Sequence, residues 1–425
     1  MKTLIDKAEI KRLQEKGYFT YIAALISVFV LAIHVKYLPP FMILWVICWI
    51  FENYKQFNRL RDVGSSNKVL FGIFIAFYLW QAVSLFYSTD FRTGYGNLFS
   101  RLSLLLFPLV LTFPGEMIKQ NIIKLLRVFA AGAFLFMLFC FSYALYTSVN
   151  FQDGSLVFNF HPKDFPWQNY FFWNLLVISR HPTYISMYLT LAMIICFESW
   201  FDTALKTSGK IFWLMVGGFL FITQYFVSSK VGIFLNLFLT PLYFLIKFKE
   251  LKRYRFAWIW FVLILVAVSP IILKNQRIDY LYGSILNKQV GYFRKQDPRI
   301  LIWKSAIILS GKNLLFGQGI GDAREELSRE YERIGAFEMA KERLNAHNQF
   351  LEVLLENGII GLIIFLSIFV YMSYLALSRR NILLGAFIIM MLIFFMFESM
   401  LNRLAGVTFF ALFSFLLLHI KRKID

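Results

Sequence analysis

The residues best suited to chemistry gather around "NAHNQFLEVLL", where Ala346, His347 and Asn348 lead from a long polar stretch into an apolar run. An imidazole exchanges its proton near neutral pH, which suits a general base. The other reading makes His347 an interfacial residue that caps a helix, with Asn348 in the same role. Glu352 and Glu356 follow about one turn apart and are candidates to orient the imidazole. Their spacing sets neither on the stripe of His347.

Three further stretches offer cations to an anion. Arg299 in "DPRILIWKSA" presents a planar fork of donors that matches phosphate oxygens. Alternatively it pairs with Asp297 or reaches to headgroups. Lys230 in "FVSSKVGIFLN" is a lone charge between two apolar runs, either an anion ligand or a tolerated interfacial lysine. In "SRHPTYISMYL", Pro182 suits a first helical turn, so Arg180 and His181 stand near a helix start, with Tyr184 close by. The other reading is an interfacial belt of aromatic and basic side chains. Glu398 and Arg403 in "FESMLNRLAG" flank a turn, as an ion pair or as part of a site.

The sequence holds no Asp-x-Asp pair, no His-Glu-x-x-His and no carboxylate cluster at ligand spacing, so metal-independent chemistry without a cofactor is expected. "FGQGIGD" has the glycines of a phosphate loop but not the Lys-Ser/Thr that such a loop needs. It reads as a turn for close backbone packing. Cys48, Cys140 and Cys196 all fall inside apolar runs, as packing residues.

The elements that must position these groups are membrane helices. Hydrophobic residues make up 59% of the 425 and charged ones only 16%, against about 25% charged in ordinary soluble domains. The expectation is an all-α polytopic membrane protein of about twelve spans. They cover 18–35, 37–53, 69–87, 97–113, 124–148, 183–200, 210–228, 231–246, 256–273, 350–376, 382–398 and 404–420. Residues 1–20 are too polar for the apolar core of a signal peptide, so the first run is expected to remain a span. The formal charge of +19 is spread between the runs and reads as topology signal, not a nucleic-acid surface.

Lysines and arginines in alternate short loops place both termini in the cytoplasm. Two longer segments, 149–182 and 274–349, then face outward. The three expected regions are 1–273 with spans one to nine, 274–349 as a large folded loop, and 350–425 with the last three spans. Helical patterning in "RILIWKSAIILSGKNLLFGQG" and "DAREELSREYERIGAFEMAKERL" makes the large loop a helical cap with His347 at its end.

This layout resembles the O-antigen ligase and polymerase superfamily. The matching stretches are "SSKVG", the Arg299-x-x-x-Trp303 spacing, "FGQGIGD", "AHNQFLEVLLENGIIGLIIFL" and "FESMLNRLAG", in family order over roughly residues 180 to 410. The resemblance implies an inverting, metal-independent glycosyltransferase of the bacterial inner membrane. It would move a glycan from undecaprenyl diphosphate to lipid A–core or a similar acceptor on the periplasmic face. His347 maps onto the family's histidine and Arg299 onto its loop arginine. Lys230 stands where arginine is frequent, giving a point contact in place of a fork. By this resemblance His347 is expected to be the base and Arg299 and Lys230 to hold the diphosphate, joined by Arg180 from its place near a helix start. His181, Tyr184, Asn348, Glu398 and Arg403 are in support. A polymerase of the same superfamily is the alternative. A flippase is disfavoured, because the expected spans are nearly free of charge and no internal repeat is visible.

Overall fold

A computed structural model describes residues 17–53, 65–152, 154–161, 169–172, 175–176, 181–250 and 298–420. The expected span 256–273, Arg180, Asp297 and the basic residues of both termini lie outside them. The chain divides into two compact units, Met1–Phe129 with Asp297–Asp425, and Ala130–Gln296.

Among the described residues, eight helices are long and apolar enough to cross a membrane: Val35–Asn53, Ser66–Tyr87, Phe91–Thr112, Ile122–Ser148, Pro182–Phe201, Thr207–Val227, Lys230–Lys247 and Gln349–Ser378. Three shorter apolar helices cover Tyr18–Ile33, Ile382–Phe397 and Leu404–His419. This is a largely helical polytopic membrane protein. Two local expectations change. The fourth run begins at Phe91, well before residue 97, because Asp90 accepts the Thr93 amide (2.9 Å) and starts a helix in what read as a loop. A two-stranded antiparallel hairpin, Val149–Gln152 with Ser155–Phe158, also interrupts the all-helical picture.

The first unit holds most candidate groups. Its apolar core is aromatic. Phe74 and Phe369 both stack on Phe410, and Phe365 meets Phe77 and Phe395. Such edge and stacked pairs add about 0.5–1.5 kcal/mol each beyond the area they bury.

The segment before His347 is helical, as its patterning predicts. We label its helices α1 (Pro298–Lys312), α2 (Ala323–Arg333) and α3 (Phe337–Lys341), followed by α4 (Gln349–Ser378) and α5 (Ile382–Phe397). Ile302, Ala306 and Leu309 recur at helical spacing on α1 and meet Ala323, Leu327 and Tyr331 of α2. Ala340, Ala346 and Leu355 complete this small core, so the residue before His347 is itself buried in it. Near the end of α2, Arg333 and Lys312 hold the buried Glu330 carboxyl below the usual carboxylate range.

The "FGQGIGD" turn explains how this segment attaches. Helix α4 is broken at Gly358 (φ 64°, ψ −169°), a backbone region open essentially to glycine alone. The turn supplies the hydrogen bonds that the break removes. Gln318 N–H donates to Leu355 O (2.7 Å), Gly319 N–H to Glu356 O (3.0 Å), and Ile359 N–H to Leu314 O (2.8 Å). Gly317 lies so close that a Cβ would come within 2.6 Å of Gly358 N. Beyond it, Asp322 accepts the amides of Thr89 (2.6 Å) and Asp90 (2.8 Å). The glycines therefore serve backbone docking, as read from the sequence.

Candidate active site

His347 has a left-handed backbone (φ 44°), which costs a residue with a side chain roughly 1–3 kcal/mol. Neighbouring groups hold it there. Asn345 Oδ1 accepts the His347 amide (3.1 Å), and Asn348 Oδ1 caps α4 by accepting from Phe350 (2.9 Å) and Leu351 (3.2 Å). The cap is thus Asn348, and His347 is released from that role.

The imidazole Nδ1 stands 3.4 Å from Glu398 Oε2, with the His347 side chain 27% exposed and that of Glu398 7%. The contact is long for a strong hydrogen bond, a common state of such pairs before substrate tightens them. A carboxylate on Nδ1 favours the tautomer that donates from this nitrogen and keeps the lone pair on Nε2. The carboxylate next to the imidazole is therefore Glu398. The nearer candidates in sequence, Glu352 and Glu356, are turned elsewhere.

Arg299 reaches the neighbouring residue. Its guanidinium lies over the Phe397 ring, 5.9 Å from the centroid, within cation–π range. Arg299 near the start of α1 and His347 just before α4 thus converge on consecutive residues, Phe397 and Glu398, at the end of α5. Arg403 is exposed and begins the last apolar helix, Leu404–Leu416.

Behind His347 lies a buried polar cluster. Arg101 (2% exposed) forms a fork with Glu356 at 2.6 and 2.8 Å, and also donates to Gln81 Oε1 (2.8 Å) and Asn402 Oδ1 (2.6 Å). Glu352 accepts from Ala346 N–H (2.8 Å), Ser399 Oγ (3.1 Å) and Asn402 Nδ2 (2.6 Å). Arg101 was overlooked in the sequence, and the expectation of nearly charge-free spans fails here. Arg101 lies inside the span Phe91–Thr112, and both glutamates lie inside Gln349–Ser378. The available signal was a lone arginine inside an apolar run, a costly placement that marks a candidate by default.

Residues 211–366 match the family model described as O-antigen ligase. This match supports a place in the O-antigen ligase superfamily. The matched segment includes Lys230, Arg299 and His347, while Glu398 and Arg101 lie outside it. No curated protein matches the chain.

The remaining candidates belong to the second unit. Lys230 is exposed at the first turn of Lys230–Glu250, after Ser228 (φ 58°) and the buried Ser229. His181 is the exposed cap residue of Pro182–Phe201, and its ring lies edge-on to Tyr184 at 5.9 Å. Tyr184 is buried at 4% exposure. No group of three or more metal-ligating side chains occurs among the described residues.

Proposed function

We propose that the chain transfers a glycan from undecaprenyl diphosphate to a hydroxyl of lipid A–core or a similar acceptor on the periplasmic face of the inner membrane. The observation that carries this reading is the convergence of His347 and Arg299 on the Glu398–Phe397 step. One is a base with an oriented ring, and the other a cation suited to phosphate. The O-antigen ligase match supports a glycosyl transfer of this kind.

In the proposed reaction, the acceptor oxygen attacks the anomeric carbon from the face opposite the diphosphate. Nε2 of His347 takes the hydroxyl proton as the new glycosidic bond forms. The old bond to the diphosphate breaks, and its electron pair leaves with the lipid-borne group. Arg299 offsets the charge that grows there. Glu398 stabilises the imidazolium until its proton is lost. Lys230, by the resemblance and its lone charge between spans, and Arg180, by its place near a helix start, are assigned to the diphosphate, with His181, Tyr184 and Arg403 in support.

The test is a lipopolysaccharide gel from a strain lacking this gene, complemented with wild type, His347→Ala or Arg299→Ala. The expected result is uncapped lipid A–core in the null strain and both variants, with long chains still built on the lipid carrier. Loss of the base is expected to lower transfer by about 10²–10⁴-fold. Core carrying one repeat unit and no ladder would make the enzyme a polymerase. A full ladder from stably made His347→Ala overturns the role given to the histidine.

A further inference from the structure

The polar cluster behind His347 links two segments that must meet for the site to exist. Glu352 reaches both. One oxygen accepts the amide of Ala346, immediately before His347, and the hydroxyl of Ser399, immediately after Glu398. Its second oxygen accepts from Asn402. Gln349 strengthens the same junction by accepting the Leu401 amide (2.7 Å). Asn402 is in turn fixed by Arg101, whose fork on Glu356 ties it to the next turn of α4. We propose that Glu352 is a positioning residue for transfer, holding the His347 and Glu398 segments in register, with Arg101, Glu356 and Asn402 as its brace.

Three features support this over packing alone. Glu352 and Glu356 are almost fully buried, at 4% and 3% exposure, where carboxylates persist only with dedicated partners. Every donor to Glu352 comes from a residue next to a site residue or from the brace. His347 also sits in a left-handed conformation, which persists only where the surroundings over-determine it. The Ala346 amide anchored on Glu352 fixes the peptide just before that residue, beside the Asn345 contact to the His347 amide itself. The His347–Glu398 distance of 3.4 Å leaves little tolerance, since a further slip of about 1 Å removes the orienting contact.

The inference rests on His347 acting as the base, so the experiment reads position and transfer separately. Glu352→Gln keeps the shape but replaces one acceptor oxygen with a donor that opposes Ala346 N–H or Asn402 Nδ2. We expect kcat to fall about 10–100-fold with KM within about twofold, because a misplaced base costs the transition state and not binding. In a His347→Ala background the same change should cost less than about twofold more, since residues acting as a unit are not additive. Independently of transfer, carbethoxylation of His347 by diethyl pyrocarbonate, followed by mass spectrometry against exposed His181, should become several-fold faster in Glu352→Gln. Should Glu352→Gln not assemble, Ser399→Ala removes only the hydroxyl contact and should give the same pattern in smaller measure.

Unchanged modification of His347 together with wild-type kcat overturns the proposal. So does a full additive loss in the His347→Ala background, which would mark Glu352 as structural. A fully active His347→Ala with faster modification in Glu352→Gln would keep the clamp and overturn the base.

Discussion

Replacing Gly358 with alanine probes the joint on which the site segment depends. The backbone there has φ 64° and ψ −169°, a region that costs an L-residue about 1–3 kcal/mol. The new Cβ would overlap the Leu315 carbonyl and lie 2.6 Å from Phe316 N. These are main-chain atoms that cannot rotate away. Relief requires the 314–319 turn to lift off, which breaks the three hydrogen bonds joining it to Leu355, Glu356 and Ile359. At about 0.5–1.5 kcal/mol each these add roughly 2–4 kcal/mol, so the substitution is expected to destabilise by roughly 3–7 kcal/mol in all.

The assay is a thermal melt of the detergent-solubilised protein, followed by retention of the monodisperse peak on size exclusion. Gly385→Ala is the control, because a Cβ at Gly385 in the first turn of α5 meets nothing within 4 Å. That change should stabilise by about 0.5–1 kcal/mol. A Gly358→Ala protein that melts with wild type or above it would refute the reasoning. It would mean that α4 runs straight as readily as broken, and that the turn does not depend on the break.

Two further outcomes follow from charge placement. Arg101→Met should destabilise by about 3–5 kcal/mol, since it strands Glu356 in the interior. Arg101→Met/Glu356→Met should recover only part, because Gln81 and Asn402 still lose their donor; full recovery in the same melt would contradict the brace. For Glu330, the depressed carboxyl means its stabilising contribution is complete above the ordinary carboxylate range and disappears as pH falls through the lower folded value. The melting difference between wild type and Glu330→Gln should therefore be full at neutral pH, begin to shrink as pH falls below about 4.3, and vanish only below the lower folded value. A difference that persists in acid would show that Arg333 and Lys312 do not act through the charge.

Apolar run length and helical spacing determined much of this protein directly. Crossing a hydrocarbon core needs about 20 apolar residues in one piece, so most of the spanning helices were legible from the chain, as was the helical segment 298–341. His347, Arg299 and Glu398 stood out as candidates too, because a polar residue at an apolar boundary is costly. Their partnerships did not. Glu352 and Glu356, five and nine residues past His347, read as its neighbours. The break at Gly358 and the buried fork of Arg101 leave them bracing the site, while Glu398, 51 residues away, takes the imidazole. Spacing along one helix reports only contacts within that helix. Which carboxylate meets which cation depends on loops closing over long sequence separations, where hydrogen-bond satisfaction in the packed interior decides. The tertiary structure therefore chose the partners from candidates that the sequence could only name.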